Sequence, residues 1–281
     1  MSDVFGKSRT VHTVRWTEVA EVLSSLNPSD FYASLHERRA IKSKIDSVAQ
    51  EIRDWLAPAI DLSTFNHAYH VNGTHNSIEQ WLATETRPIA CLRGDYPYPR
   101  HLRASILVVD TVSDIPADCV VYMSNPFSST GKFDDRYAAI HNPVILDCAY
   151  IGTTLPNRIL VTDNTEQVFW SASKPFGLGN YRTGYRFCRT ADLFQDQLKD
   201  TGYFNVFGIE LLHRCLQLFS VFGAYNTLET EYVNICKEYA LLPSDSFLIA
   251  HSDAIEYNHF AREDGVKRIP TGRLLDNKWR L

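Results

Sequence analysis

Six short apolar runs follow one another between residues 88 and 173, and they constrain the fold more than any other feature. Most of them lack the alternation of apolar and polar residues that marks a strand with one face in water. Strands buried on both faces are typical of a mainly parallel sheet covered by helices. The sequence therefore predicts an α/β fold, with strands at PIACL (88–92), SILVVD (105–110), DCVVYMS (118–124), PVILDCAY (143–150), RILVT (158–162) and QVFWSAS (167–173).

Helical patterns surround this predicted sheet. Apolar residues from Ile41 to Trp55 recur at helical spacing until Pro58 stops the pattern. The stretch at 76–85 predicts a helix between strands, and residues 206–226 predict one long apolar helix. The tail predicts a helix at LETEYVNICKEYA (228–240) and strands at SFLIAHS (246–252) and VKRIPTG (266–272).

Composition places the chain among ordinary globular proteins. It has 281 residues, 44% of them hydrophobic, and a formal net charge of −5, so its charge suggests no nucleic-acid partner. Six widely spread cysteines without a CxxC pair favour buried thiols in a reducing compartment over disulfides or a zinc site. Because the sequence shows no apolar signal core and no membrane-length apolar run, we expect a cytoplasmic protein without membrane contact.

Polar side chains capable of chemistry follow several of the predicted strands. Asn125 comes after VVYMS, Asp147 ends PVILD, and Lys174 follows VFWSAS. Ligands of an open α/β sheet bind beyond the carboxyl ends of its strands, so these residues are expected to meet in one site. Gly73 and Thr74 precede a predicted helix, where free backbone N–H groups favour a phosphate. Each residue alone has an ordinary explanation as a cap, a turn or a solvated lysine, but the ordered set is harder to dismiss.

Together these motifs resemble the fold-type-I enzymes that depend on pyridoxal 5'-phosphate (PLP), in the class I/II aminotransferase branch. The strongest motif is SASKPFGLGNYRTGY, which is similar to the family's S-x-S-K-x-x-G-L-x-x-x-R-x-G-Y. NPFSSTG is similar to N-P-x-x-P-T-G, with Ser129 in place of the usual proline. DCAY, GDYPYP and NGTH are similar to the family's D-x-A-Y, its aromatic segment and its phosphate loop, so the resemblance covers roughly residues 65–190.

The resemblance implies a division of the chain into three parts. Residues 1–45 would form an N-terminal segment that packs with the small domain. Residues 46–225 would form the PLP-binding large domain with its mainly parallel sheet. Residues 226–281 would form a reduced α+β small domain at the C-terminus.

The resemblance also assigns roles at the cofactor. Lys174 would form the Schiff base with the PLP aldehyde and later transfer the proton, which requires an amine kept partly neutral by burial and nearby positive charge. Asp147 would face the pyridine nitrogen, and Tyr150 and Asn125 would approach the phenolic oxygen, with Asn125 also at the substrate. The phosphate would be held by Gly73, Thr74, His75, Ser171, Ser173 and Arg182, because a forked guanidinium and helix amides suit a phosphate.

Two assignments stay open between neighbouring residues. GDYPYP permits either Tyr96 or Tyr98 to stack on the cofactor ring, and Tyr96 is favoured. For the substrate α-carboxylate, Arg268 is favoured over Arg273 because it is placed like the family's arginine at the start of a strand. No metal is expected, since no matching Cys or carboxylate cluster accompanies the histidines near the phosphate loop.

The reaction that follows from the resemblance is transamination between an amino acid and a 2-oxo acid, through an internal aldimine on Lys174. The fold alone does not settle the reaction. A PLP-dependent lyase, decarboxylase or cyclising biosynthetic enzyme is the alternative on the same scaffold, and a non-catalytic protein of this fold is the third. Family members are dimers with active sites at the interface, so we expect a homodimer that binds a small amino-acid substrate.

Overall fold

The computed structural model describes Phe5 and residues 11–27, 38–201 and 204–278. Seven strands of that part form the larger sheet and three form a smaller one. The strands are β1 (His67–Val71), β2 (Ile89–Leu92), β3 (Leu107–Val109), β4 (Val120–Ser124), β5 (Val144–Asp147), β6 (Thr165–Ser171), β7 (Gly184–Cys188), β8 (Leu242–Pro243), β9 (Ile249–His251) and β10 (Arg268–Pro270).

Helices cover both faces of the larger sheet. None of the helices in the described ranges has both the length and the apolar character needed to cross a bilayer. They are α1 (Thr17–Ser25), α2 (Arg38–Leu56), α3 (Thr74–Thr84), α4 (Tyr98–Leu102), α5 (Leu193–Thr201), α6 (Val206–Cys215), α7 (Gly223–Glu238) and α8 (Gly272–Lys278).

The larger sheet has the strand order β1-β7-β6-β5-β4-β2-β3. From β3 to β6 the neighbouring strands pair in parallel, whereas β7 runs antiparallel to both β6 and β1. Every residue of β2, β4 and β5 is buried, as expected for strands covered on both faces. The predicted α/β class with a mainly parallel sheet is confirmed.

Two apolar clusters lie on opposite faces of the larger sheet. Met123 and Leu146 belong to the main core, together with residues of α2 and α6. Tyr122 and Ile145, one position earlier on the same strands, belong to a second cluster with Ile78 of α3. Since successive side chains of a strand point to opposite faces, this alternation places α2 and α3 on different sides of the sheet.

The smaller sheet, β10-β9-β8, is antiparallel and belongs to the C-terminal part of the chain. The segment before α1 contacts this part, because Arg15 forms an ion pair with Asp276 at 2.5 Å. The ring of Phe5 also packs edge-on against Tyr239, with centroids 5.0 Å apart. The N-terminal segment therefore contacts residues of the C-terminal part of the chain, and the division into domains stays a prediction.

The run RILVT forms no strand, contrary to the sequence-based expectation. Ile159 makes one isolated bridge to Ile60, and its amide donates to the carbonyl of Ala59 at 2.8 Å. Leu160 beside it is 73% exposed. The run therefore lies outside the larger sheet and buries one apolar side chain, that of Ile159. Its apolar residues do not form a buried strand.

The predicted long helix over 206–226 is also wrong, because α6 ends at Cys215 and α7 begins at Gly223. A continuous helix would bond the carbonyl of Phe219 to the amide of Gly223. Instead, that carbonyl accepts the indole N–H of Trp55 at 2.7 Å, and the Phe219 ring stacks on Phe176 with centroids 5.3 Å apart. Tertiary contacts of Phe219 therefore replace the helical hydrogen bond.

Candidate cofactor site

A cavity of about 530 Å³ lies beyond the carboxyl ends of β5 and β6. This is the edge of an open α/β sheet at which ligands bind. Val11, His12 and Thr13 of the N-terminal segment contribute to its wall. The sequence-predicted site residues that line it are Thr74, His75, Tyr96, Asp147, Tyr150, Ser173, Lys174, Arg182 and Arg268.

Lys174 reaches into this cavity from the turn that follows β6. Its Nζ lies 3.4 Å from the carbonyl oxygen of Val11 and 5.9 Å from the ring centroid of Tyr150. Burial lowers the pKa of Lys174, and the positive charge of Arg268 acts in the same direction. A lowered pKa favours the neutral amine, and the neutral amine is the form that can attack an aldehyde.

The turn after Lys174 is held by the N-terminal segment. The indole N–H of Trp16 donates to the carbonyl of Pro175 at 2.9 Å. Gly177 has a φ of 69°, and a Cβ on it would lie 2.6 Å from the carbonyl oxygen of Val14. Glycine is required there by both the conformation and the close approach. This turn leads the chain back to Arg182 at the same cavity.

Asp147, the last residue of β5, is buried and held at both carboxylate oxygens. Oδ1 accepts the amide of Ala149 at 2.9 Å, and Oδ2 accepts the hydroxyl of Tyr122 at 2.6 Å. Burial raises the pKa of Asp147 to about 6, while the hydrogen bond from Tyr122 and the charge of Lys174 oppose that rise. A fixed carboxylate of this kind suits a protonated ring nitrogen, which would favour its ionised form.

In the predicted phosphate-binding part of the site, the start of α3 lies next to Arg182. Gly73 precedes α3 with a φ of 81°, and a Cβ on it would lie 2.9 Å from Nη2 of Arg182. The close approach leaves the first amides of α3 beside a guanidinium, which is an arrangement that favours an anion. The hydroxyl of Ser171 donates to that of Ser173 at 2.8 Å, and Ser173 lines the cavity.

The contacts of His75 distinguish the two candidate tyrosines. Tyr96 lines the cavity, with its hydroxyl 2.5 Å from Nε2 of His75. Tyr98 instead stacks on the imidazole at 4.2 Å between centroids and donates to Glu79 at 2.5 Å. Of the two tyrosines, Tyr96 therefore lies at the cavity, and its stacking on a cofactor ring stays a prediction.

Arg268 is the better placed of the two candidate arginines. It begins β10, is 6% exposed, and its Nη1 donates to the carbonyl of Ser128 at 2.8 Å. Its guanidinium lines the same cavity as Lys174, whereas Arg273 lines an adjoining cavity with Arg15. Arg268 therefore lies at the same cavity as Lys174, and its contact with a substrate carboxylate stays a prediction.

Asn125 is buried but is not among the described residues that line the cavity. Its Oδ1 accepts the amide of Asp134 at 3.2 Å, and its Nδ2 donates to the Asp134 carbonyl at 3.5 Å. The side chain therefore anchors the loop after β4. Its contact with the cofactor and the substrate stays a prediction.

Sequence reasoning missed three residues at this site. Tyr122 holds Asp147, and Arg262 lines the cavity. Asp95 accepts the amide of Tyr96 at 2.6 Å and both the amide, at 3.0 Å, and the hydroxyl of Ser124. Burial raises the pKa of Asp95 to about 7, against these hydrogen bonds, which favour the carboxylate. It ties the end of β2 to the end of β4.

No protein-family model matches the sequence, and no curated protein matches it significantly. Solved structures do match its fold. A histidinol-phosphate aminotransferase from Sinorhizobium meliloti, in complex with pyridoxal-5'-phosphate, has a TM-score of 0.64 at 15% identity, over 92% of this chain and 83% of that chain. An L-threonine-O-3-phosphate decarboxylase from Porphyromonas gingivalis has a TM-score of 0.63 at 14% identity, over 96% and 97%.

A tyrosine aminotransferase from Leishmania infantum is similar at a TM-score of 0.60 and 12% identity, over 98% of this chain and 90% of that chain. At such identities the likeness concerns the fold. The chain has the fold of the class I/II aminotransferases, and the fold that the motifs predicted is confirmed.

Proposed function

We propose that this chain is a PLP-dependent aminotransferase that acts on an amino acid and a 2-oxo acid. The observation that carries the proposal is the meeting of Lys174 and Asp147 in one cavity that also holds the N-terminus of α3 and Arg182. An amine, a carboxylate and an anion cradle match the aldehyde, the ring nitrogen and the phosphate of PLP. The shared fold supports the same conclusion.

The residues present fit this cofactor. Asp147 would face the pyridine nitrogen in the orientation that Tyr122 and the amide of Ala149 hold. Arg182 and the first amides of α3, with Ser173 nearby, would bind the phosphate, and Tyr96 would lie on the ring. PLP, when bound, supplies an electron sink for the negative charge that develops at the α-carbon of an amino acid.

The chain's own groups then decide which bond breaks. Arg268 would bind the α-carboxylate and so orient the α-carbon, since a planar guanidinium grips a carboxylate at two points. Nζ of Lys174 would take the proton from that carbon and return it, and burial, which lowers its pKa, favours the neutral amine that this role needs. Val11, His12 and Thr13 would cover the site and limit the access of water. We also propose a homodimer, as the family resemblance implies, in the cytoplasm, which the unpaired buried cysteines favour.

A PLP-dependent decarboxylase is the second candidate. The Porphyromonas gingivalis structure, which matches along 97% of its length, is an L-threonine-O-3-phosphate decarboxylase. The same cavity residues could serve either reaction, since the orientation of the substrate selects the bond that breaks. The two reactions therefore have to be separated by their products.

The deciding experiment mixes the PLP-loaded protein with a panel of amino acids and follows the visible absorbance of bound PLP. For an aminotransferase, a reactive amino acid should abolish the visible band, and a 2-oxo acid should restore it. Release of CO2 would instead identify a decarboxylase, and release of ammonia with a 2-oxo acid would identify a lyase. A protein that fails to take up PLP would contradict the proposal as a whole.

The Tyr122–Asp147 hydrogen bond leads to a specific prediction. We expect Tyr122→Phe to weaken PLP binding about tenfold, because a hydrogen bond to a charged group contributes about 1.5–3 kcal/mol. Without the hydroxyl, the pKa of Asp147 should rise further, so less carboxylate faces the ring nitrogen at neutral pH. A titration of the cofactor-free protein with PLP, followed by absorbance, measures the dissociation constant.

Tyr185→Phe is the matched control for this experiment. Tyr185 is equally buried on β7 of the same sheet, and its hydroxyl donates to the carbonyl of Ile45 at 3.2 Å, not to Asp147. It should lose stability without a change in PLP affinity. Equal PLP dissociation constants for Tyr122→Phe and the wild type would show that the hydroxyl does not support Asp147.

A further inference from the structure

Arg182 has a backbone conformation that residues other than glycine rarely adopt. Its φ is 50°, in the left-handed region where a Cβ makes the conformation unfavourable. Among the described residues, Ala240 is the one other non-glycine residue with a positive φ. Strained backbone of this kind persists where the surrounding structure holds it, and it is frequent at ligand sites. Contacts around Arg182 must therefore stabilise this conformation.

The side chain of Asn205 contacts the backbone on both sides of the Arg182 Cα. Its Nδ2 donates to the carbonyl of Tyr181 at 3.0 Å and to the carbonyl of Arg182 at 3.2 Å. These carbonyls belong to the two peptide units whose relative rotation φ and ψ describe. The amide group of Asn205 therefore holds the strained conformation directly, although the two residues are 23 positions apart in the sequence.

The other end of the Asn205 side chain caps α6. Its Oδ1 accepts the amide of Gly208 at 2.9 Å, which is the hydrogen bond of a helix N-cap. Gly208 is buried, and a Cβ on it would lie 2.6 Å from Nδ2 of Asn205 and 3.2 Å from the Cβ of Thr183. Glycine thus allows the start of α6 to approach the chain that follows Arg182. One side chain joins this helix to the strained residue.

Backbone carbonyls also orient the guanidinium of Arg182. Nη2 donates to the carbonyl of Asn72 at 2.6 Å, and Nη1 donates to the carbonyl of Gly179 at 3.3 Å. Asn72 lies directly before Gly73 and the first turn of α3. A guanidinium has five N–H groups, so these two contacts leave donors for a phosphate at the cavity that Arg182 lines.

We propose that Asn205 is a positioning residue for the cofactor phosphate, because it holds Arg182 in the conformation that places its guanidinium at the start of α3. The proposal rests on the PLP-dependent function proposed above. Asn205 is not among the described residues that line the cavity, so it acts through Arg182 and not by touching the cofactor. Without its two hydrogen bonds, the Arg182 backbone would relax toward a less strained conformation, and the guanidinium would leave the helix amides.

Asn205→Ser separates the two ends of this side chain. Serine caps helices about as well as asparagine does, so its hydroxyl can still accept the amide of Gly208. Nothing in serine replaces Nδ2, so the carbonyls of Tyr181 and Arg182 lose their donor. The variant also adds no charge near the phosphate. The cap of α6 should therefore remain, while the contact that holds Arg182 is lost.

The measurement is the preference for PLP over pyridoxal, taken as the ratio of their dissociation constants in absorbance titrations of the cofactor-free protein. The two aldehydes differ in the phosphate, so a general loss of folding or of the reactive lysine would affect both alike. We expect Asn205→Ser to lower the preference for PLP about tenfold, because two hydrogen bonds that hold a phosphate ligand are removed. The affinity for pyridoxal should stay unchanged.

Asn164→Ser is the matched control. The Nδ2 of Asn164 likewise donates to two backbone carbonyls, those of Ile140 and Asn142, but these precede β5 and lie in a different loop. Its loss should cost stability without a change in the preference for PLP over pyridoxal.

A double variant tests whether Asn205 acts through Arg182. Arg182→Gln alone should lower the preference for PLP more than Asn205→Ser does. Adding Asn205→Ser to Arg182→Gln should cause no further loss, because both changes remove the same interaction. Fully additive losses, or an unchanged preference in Asn205→Ser, would overturn this inference and leave the aminotransferase proposal intact.

The titrations do not depend on turnover. A protein that binds PLP but converts no amino acid in the panel therefore still tests the role of Asn205. A wild-type protein that binds PLP no more tightly than pyridoxal would overturn the inference, since no phosphate contact would then depend on Arg182. Failure to take up either aldehyde would contradict the proposed function and this inference together.

Discussion

Lys174→Ala is expected to abolish the covalent attachment of PLP to this protein. Reduction with borohydride followed by mass spectrometry should place the cofactor on Lys174 in the wild type and on no residue in the variant. Turnover should fall by at least about 10²–10⁴-fold, which is the range that loss of a general base alone produces. The physical reason is that Nζ lies inside the cavity with a lowered pKa, and no other lysine is among the described residues that line it.

Lys237→Ala is the control, because Lys237 is an exposed lysine of α7. Its loss should change neither attachment nor turnover. Circular dichroism and the melting temperature of each variant would show that the fold is retained. Attachment of PLP to a different lysine in the wild type, or persistent attachment in Lys174→Ala, would refute the assignment on which the proposed function depends.

The central strands could be predicted because burial on both faces leaves an uninterrupted apolar run. The two strands β1 and β7 lack that signal. His67 and His70 interrupt β1, and β7 contains Arg186, a charged residue that is only 2% exposed. Arg186 is tolerated because it forms an ion pair with Asp192. A strand that contains a buried charge paired with an opposite charge shows no continuous apolar run, so apolar runs do not predict it.

The residues of the site differ in a similar way. Some belong to a local motif, and others are brought together by contacts between distant segments. The turn from Lys174 to Arg182 is a local motif, so its residues could be identified from the sequence. The role of Tyr122 depends on the pairing of β4 with β5, in which Tyr122 lies opposite Ile145. Asp147 is two residues beyond Ile145 and therefore on the same face, within reach of the tyrosine hydroxyl. Nothing in the run VVYMS reveals that neighbour.

Ser129 shows the limit of reasoning from a family motif. The sequence shows only that Ser129 stands where the family motif has a proline. Its contact with Asp264 joins loops 135 residues apart in the sequence. This contact between Ser129 and Asp264 depends on how the C-terminal part of the chain packs against the loop after β4, which a local motif does not show.

Asp147→Asn is expected to reduce turnover by about 10²–10³-fold while PLP still binds with lower affinity. Asparagine keeps the shape of the side chain but removes the charge that would hold the ring nitrogen protonated, and preorganised charges at reacting groups contribute on this scale. The amine of Lys174, the anion cradle and the ring-stacking Tyr96 remain, so uptake of PLP should persist. Asp61→Asn, an exposed aspartate that lines a separate cavity, should leave turnover unchanged.

The pH dependence of PLP binding gives the second measurement on this variant. Burial raises the pKa of Asp147 to about 6 in the cofactor-free protein, so its carboxylate is lost as the pH falls through that value. The wild-type affinity for PLP should therefore decrease below about pH 6 more steeply than that of Asp147→Asn, which has no proton to gain at this position. Comparing the two proteins removes the contribution of the free cofactor and of residues that titrate alike in both. Parallel pH profiles, or undiminished turnover of Asp147→Asn, would show that this carboxylate does not act on the ring nitrogen.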